Sequence, residues 1–101
     1  MYTGDTTPCQ NVLNYGRGVR LLIHEATLAN GMEEDAFAKG HSTSTQAMEI
    51  GQKIGAHRTI LTHFSPRYHI VAETTELNIE TKTLIAFDHM RVSMSQLEWA
   101  Y

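Results

Sequence analysis

Four short polar clusters carry the residue types that do chemistry in this chain: Thr3-Gly4-Asp5-Thr6, His24-Glu25-Ala26-Thr27, His41-Ser42-Thr43 and His63-Phe64-Ser65-Pro66-Arg67-Tyr68. Asp5, in a tight Gly-Asp turn, can bridge two metal ions or satisfy its own turn by bonding nearby backbone N–H groups. His63 directly follows Ile60-Leu61-Thr62. It reads either as a metal ligand aimed from a strand end or as a histidine bonded to a carbonyl. His24 and Glu25 can form a couple in which the carboxylate fixes the imidazole tautomer and raises its basicity, or a structural buttress. His41 can serve as a general acid or simply pack a junction. Arg67 sets a planar guanidinium beside Tyr68, a combination suited to phosphate, and reads equally as a solvated surface arginine.

The elements that must position these groups are short. Thr7-Pro8-Cys9-Gln10 reads as a helix start, with Thr7 as N-cap and Gln10 completing a capping box, and Gly16 as the stop. Val19 to Ile23 predicts a buried strand, which puts His24 and Glu25 just beyond its end. Met32 to Lys39, acidic at its start and followed by Gly40, predicts a helix. Thr43 with Gln46 opens a second helix, whose Ala47, Ile50 and Ile54 share a face before Gly55. His41 then lies in the junction between the two. Thr59 to Thr62 predicts another strand, and Leu84 to Phe87 with the alternating Met90, Val92 and Met94 predicts a kinked strand or hairpin. Glu73 to Lys82 has no period and reads as loop. The order is that of an α/β chain, in which functional residues collect beyond the carboxyl ends of strands.

Composition bounds what such a chain can be. It has 101 residues, 42% hydrophobic and 19% charged, with a net charge of −3. This is far from the signature of disorder, so a core is expected. No apolar run reaches the roughly 18 to 20 residues of a membrane span, and Met1 to Asp5 shows no targeting pattern. The single Cys9 excludes an intramolecular disulfide and thiolate-rich zinc sites, so any metal must be held by histidine and carboxylate. A slightly acidic balance argues against a free-standing nucleic-acid binder. Six histidines are the unusual compositional feature; His57, His69 and His89 have no evident partner in the sequence.

Taken together, Gly4-Asp5, His24-Glu25-Ala26-Thr27, His41-Ser42-Thr43 and His63-Phe64-Ser65-x-Arg67-Tyr68, in this order, resemble the C-terminal part of ribonuclease Z. That is the tRNA 3′-processing endonuclease family of the metallo-β-lactamase superfamily. Cys9, Leu28 to Glu34 and Ala86-Phe87-Asp88-His89-Met90 look most like its long, eukaryotic form. The resemblance implies a fold, the C-terminal half of an αβ/βα four-layer sandwich, with residues 1–101 forming one partial domain. It also implies roles. Asp5 and His63 would be ligands in a two-zinc site, and His41 would protonate the leaving 3′ oxygen, supported by Glu25 and His24. Arg67 and Ser65 would hold backbone phosphate.

The departure from the family is as informative. Its principal metal motif, His-x-His-x-Asp-His, is absent, and no two histidines here are separated by one residue. Asp5 and His63 cannot fill two zinc shells, each of which needs four ligands or three plus water. The expectation is therefore a segment of an endoribonuclease acting on precursor tRNA, inactive by itself. It should associate with itself or with the missing N-terminal half through an apolar sheet face, and nucleus or mitochondrion is the compartment the resemblance implies. The competing expectations are a non-catalytic fragment or interaction module, and another metallo-β-lactamase-fold phosphodiesterase.

Overall fold

A computed structural model describes residues 1–65 and 82–95. Its element order is α1 (Gln10–Tyr15), β1 (Leu21–Glu25), α2 (Glu33–Lys39), α3 (Ser44–Ile54), β2 (Arg58–Thr62) and β3 (Thr83–Ile85). The strands form a parallel sheet in the order β1-β2-β3, with Leu22 opposite Thr59 and His24 opposite Leu61. Tyr2 adds a parallel bridge to Ile23 on the other edge of β1, flanked by bonds from Thr3 N–H to the Ile23 carbonyl and from Ile23 N–H to the Met1 carbonyl. The Gly-Asp turn thus follows a short strand-like segment that this chain itself supplies.

The α3 helix follows from local sequence. The Thr43 hydroxyl accepts from Gln46 N–H and the Gln46 side chain accepts from Thr43 N–H, so the capping box satisfies two otherwise orphaned donors. Ala47, Ile50 and Ile54 are buried on one stripe, and Gly55 closes the helix in the left-handed conformation. Ile50 and Ile54 pack with Val12 of α1, Leu22 of β1 and Ala56, while Cys9, Leu13 and Val19 border this cluster. A second cluster joins Ala47 to Ala26, Leu61 and Phe64 directly beneath the strand ends. Gly51 lets helix and sheet approach closely: a Cβ there would overlap the buried Thr59 hydroxyl.

Three expectations are corrected. The Thr7-Pro8 capping box does not form; α1 begins at Gln10 with Cys9 in the extended N-cap position and no side-chain cap. The backbone of Thr6 is held on both sides by distant groups, its N–H on Glu25 and its carbonyl on the Ser42 hydroxyl, and the turn around it delays the helix. Strand β1 runs to Glu25 rather than stopping at Ile23, so His24 and Glu25 are strand residues with opposite facings. Met90 to Met94 form no strand. After β3 the chain reverses in a turn, with His89 in the left-handed region and Met90 N–H on the Phe87 carbonyl, which takes it off the sheet edge. The stretch 73–81 and Arg67 lie outside the described residues.

Candidate functional site

Each cluster now meets the others at the carboxyl edge of the parallel sheet. Asp5 follows the segment beside β1, Glu25 ends β1, and His63 follows β2. His41 comes from the α2–α3 junction, where its backbone N–H closes α2 by donating to the Ala36 carbonyl. Leu28 ties that junction to the β1 loop through two bonds, from its N–H to the Ser42 carbonyl and from Ser44 N–H to its own carbonyl. Two left-handed residues shape the approach, Gly4 (φ 63°) before Asp5 and His63 itself (φ 63°). A non-glycine residue in this region stores backbone strain, and such strain collects at functional sites.

Glu25 is the centre of the network. Its side chain is 1% exposed, and each carboxylate oxygen receives two hydrogen bonds. Oε1 accepts from Thr6 N–H (3.0 Å) and from His41 Nδ1 (2.8 Å). Oε2 accepts from Thr27 N–H (3.0 Å) and the Thr27 hydroxyl (2.8 Å). The Thr27 hydroxyl also lies 2.9 Å from His63 Nδ1 and 3.2 Å from His41 Nδ1. His63 Nδ1 in turn stands 3.4 Å from Asp5 Oδ1, and the two imidazoles are 5.7 Å apart between centroids. Asp5 and His63 are half exposed, whereas His41 is largely covered. The site is therefore a wet rim of two potential donors backed by a buried carboxylate.

Asp5, His41 and His63 each offer one donor atom, and all three lie within 4.8 Å of one another. Nitrogen and carboxylate oxygen are the donors zinc accepts. The set fits one side of a zinc site, and it is too small for a closed one, which takes four ligands.

The remaining candidates fall elsewhere. The expected couple between the His24 ring and the Glu25 carboxylate does not form, because neighbouring strand residues face opposite sides. His24 is fully buried, its Nδ1 donates to the Glu25 backbone carbonyl at 2.7 Å, and its Nε2 is buried without a partner among the described residues. Ser65 reaches the site through its backbone, with its N–H on the Thr27 carbonyl. Thr27 was assigned no role from sequence. The signal for it is spacing, since a carboxylate at a strand end can accept the N–H two residues on and so fix that residue beside it.

Burial pushes the His24 pKa below its ordinary value, outweighing the Glu25 carbonyl bond and the Glu25 charge. For Glu25, burial acts to raise the pKa, but the bonds from Thr27 N–H, the Thr27 hydroxyl, His41 and Thr6 N–H prevail and lower it. Both shifts make the fold more stable at neutral pH than in acid. As pH falls through 6.5, His24 takes up a proton in the unfolded chain before it does so in the folded one, and stability declines. A second decline follows below 4.5 as Glu25 is protonated. Urea unfolding midpoints between pH 8 and 4 should show this two-stage loss; a midpoint unchanged from pH 7.5 to 5.5 would remove His24 from it.

Comparison with known proteins places this geometry. No family model matches the chain. It is 42% identical over 97 residues to tRNAse Z TRZ4, mitochondrial, of Arabidopsis thaliana, covering 96% of this chain and 10% of that protein. It is 46% identical over 92 residues to zinc phosphodiesterase ELAC protein 2 of Homo sapiens, covering 91% and 11%. A long form RNase Z from yeast superposes with a TM-score of 0.75 at 38% identity, over 95% of this chain and 13% of that one. The metallo-beta-lactamase fold protein YhfI from Bacillus subtilis superposes at 0.70 over 84% of this chain and 35% of that one, with 22% identity, a likeness of fold alone. The chain thus spans about a tenth of the length of the curated relatives it matches. Similarity over nearly all of its own length, in sequence and in structure, makes this chain a member of the ribonuclease Z family with a metallo-β-lactamase-type α/β fold.

Proposed function

We propose that the chain is the C-terminal half of the catalytic domain of a zinc-dependent endoribonuclease that removes the 3′ trailer from precursor tRNA, and that it is inactive alone. The observation that supports this most is the convergence of Asp5, His41 and His63 within 4.8 Å at the carboxyl edge of the sheet, backed by the buried Glu25. In this reading Asp5 and His63 are metal ligands. Bound zinc supplies an activated water and charge stabilisation at the attacking and leaving oxygens of an in-line displacement. His41, as the imidazolium, protonates the departing 3′ oxygen from Nε2 and keeps its Nδ1 proton on Glu25. Ser65 and Arg67 bind backbone phosphate, and His24 supports β1 from within the core. Cleavage leaves a tRNA with a free 3′ hydroxyl and a trailer with a 5′ phosphate.

The described residues provide three donors where two zinc shells need about eight positions. The purified chain is therefore expected to hold fewer than two zinc ions and to leave precursor tRNA uncut. Supplying the upstream half of a ribonuclease Z that carries the His-x-His-x-Asp-His motif should restore both. Zinc analysis and a cleavage gel decide: two zincs and cleavage by the chain alone contradict its inactivity, and no cleavage by the combined halves contradicts the function.

The same reading predicts association. Leu21 and Ile23 of β1 are only partly covered, and Met1 and Tyr2 beside them are 42% and 68% exposed. An unpaired half-sandwich should bury this surface against a second copy or the N-terminal half. Size-exclusion chromatography with light scattering should show species above 11.4 kDa; a clean monomer at all concentrations counts against it. The mitochondrial name of the Arabidopsis thaliana relative supports that compartment for the full protein.

A further inference from the structure

We infer that Thr27 is a positioning residue whose single hydroxyl proton fixes the ring tautomer of His63. The functional meaning of this rests on the reading of His63 as a metal ligand; the tautomer itself does not.

A hydroxyl donates one hydrogen bond and accepts two. Thr27 Oγ1 has three close neighbours: Glu25 Oε2 at 2.8 Å, His63 Nδ1 at 2.9 Å and His41 Nδ1 at 3.2 Å. An ionised carboxylate only accepts, so the Thr27 proton goes to Glu25. Toward both imidazoles the hydroxyl oxygen must then act as acceptor, which requires a proton on Nδ1 of His63. Asp5 Oδ1, 3.4 Å from the same nitrogen, favours the same arrangement. The bare lone pair of His63 is thereby placed on Nε2, the atom left to bind a metal. Neutral imidazole in water prefers the opposite tautomer, with the proton on Nε2. The network selects the form a ligand through Nε2 needs, which is how supporting bonds orient metal-binding histidines in general.

His41 is held differently. Its Nδ1 proton goes to Glu25 Oε1 at 2.8 Å, and Thr27 is the longer contact. Thr27 is itself fixed on both sides, its N–H on Glu25 Oε2 and its carbonyl on Ser65 N–H. The residue that carries the hydroxyl is therefore anchored beside Glu25 and His63.

The test is a long-range proton–nitrogen correlation spectrum of the 15N-labelled chain near pH 8, freed of metal by a chelator. Wild type should show His63 protonated on Nδ1. Thr27→Val, which keeps the shape and removes the hydroxyl, should move His63 toward protonation on Nε2, while Thr27→Ser restores the wild-type pattern. His41, still bonded to Glu25, should stay protonated on Nδ1 throughout. Protonation of wild-type His63 on Nε2, or a Thr27→Val spectrum identical to wild type, overturns the inference. Should Thr27→Val not fold, Asp5→Ala decides: His63 staying protonated on Nδ1 without Asp5 supports the inference, and a move to Nε2 overturns it. No metal or RNA is present in this measurement, so failure of zinc binding or cleavage by the combined halves would overturn the proposed function and leave the tautomer result standing.

Discussion

Glu25→Ala is expected to destabilise the chain by about 3–5 kcal/mol, because it leaves several covered donors unsatisfied at roughly 1–3 kcal/mol each. Small domains are stable by roughly 5–15 kcal/mol, so this loss is a large share of the total and should lower the urea midpoint markedly. The reason lies in what the carboxylate serves. Four donors from three chain segments converge on it: Thr6 N–H, Thr27 N–H, the Thr27 hydroxyl and His41 Nδ1. Alanine strands all four. Glu25→Gln is the informative partner. Each carboxylate oxygen accepts one backbone N–H, Thr6 on Oε1 and Thr27 on Oε2, so either orientation of a glutamine points its NH2 at a backbone donor. His41 can shift its proton to accommodate an amide, and a backbone N–H cannot. Glu25→Gln should therefore still cost about 1–3 kcal/mol, the desolvation penalty of one unsatisfied group. Urea denaturation followed by far-UV circular dichroism measures both. A loss under 1 kcal/mol for Glu25→Ala would mean that the network does not hold the three loops together.

His41→Ala, made in the combined halves described above, is expected to slow cleavage of precursor tRNA by about 10²–10⁴-fold, the range for a general acid, with RNA affinity changed little. His41 donates to Glu25 through Nδ1 and is 22% exposed, which leaves Nε2 to meet a leaving oxygen. The variant should keep the fold, because Glu25 retains its three bonds to Thr6 and Thr27. A substrate with sulfur in place of the bridging 3′ oxygen separates acid catalysis from positioning. Such a leaving group departs without a proton, so the variant should approach the wild-type rate on it. An equal deficit on both substrates would instead assign His41 to the metal shell, for which it is close enough to Asp5 and His63.

Legibility from sequence followed the range of the interactions concerned. The α3 helix was readable because its capping box spans three residues and its apolar stripe repeats within one helix. The α2 helix, with acids in its first turn, Lys39 in its last and Gly40 at its end, was readable for the same reason. At Thr6 and Thr7 a local rule lost. Their spacing fits a capping box, but bonds to Glu25, 19 residues away, and to Ser42, 36 residues away, hold the backbone in a turn. Likewise, Met90 to Met94 alternate as a strand does, and alternation says nothing of the turn at His89 that removes the partner edge.

The site divides along the same line. Sequence by itself determined the α/β order and the family resemblance, and singled out Asp5, Glu25, His41 and His63 as candidates, because residue type and motif order survive in one dimension. Only the tertiary structure decided who bonds whom. It separated the His24 ring from the Glu25 carboxylate, joined that carboxylate to His41 across 16 residues, and brought Thr27 within 2.9 Å of His63 across 36. Adjacent strand residues face opposite ways, and parallel strands deliver distant loops to one edge, so proximity along the chain and proximity in the site are set by different physics.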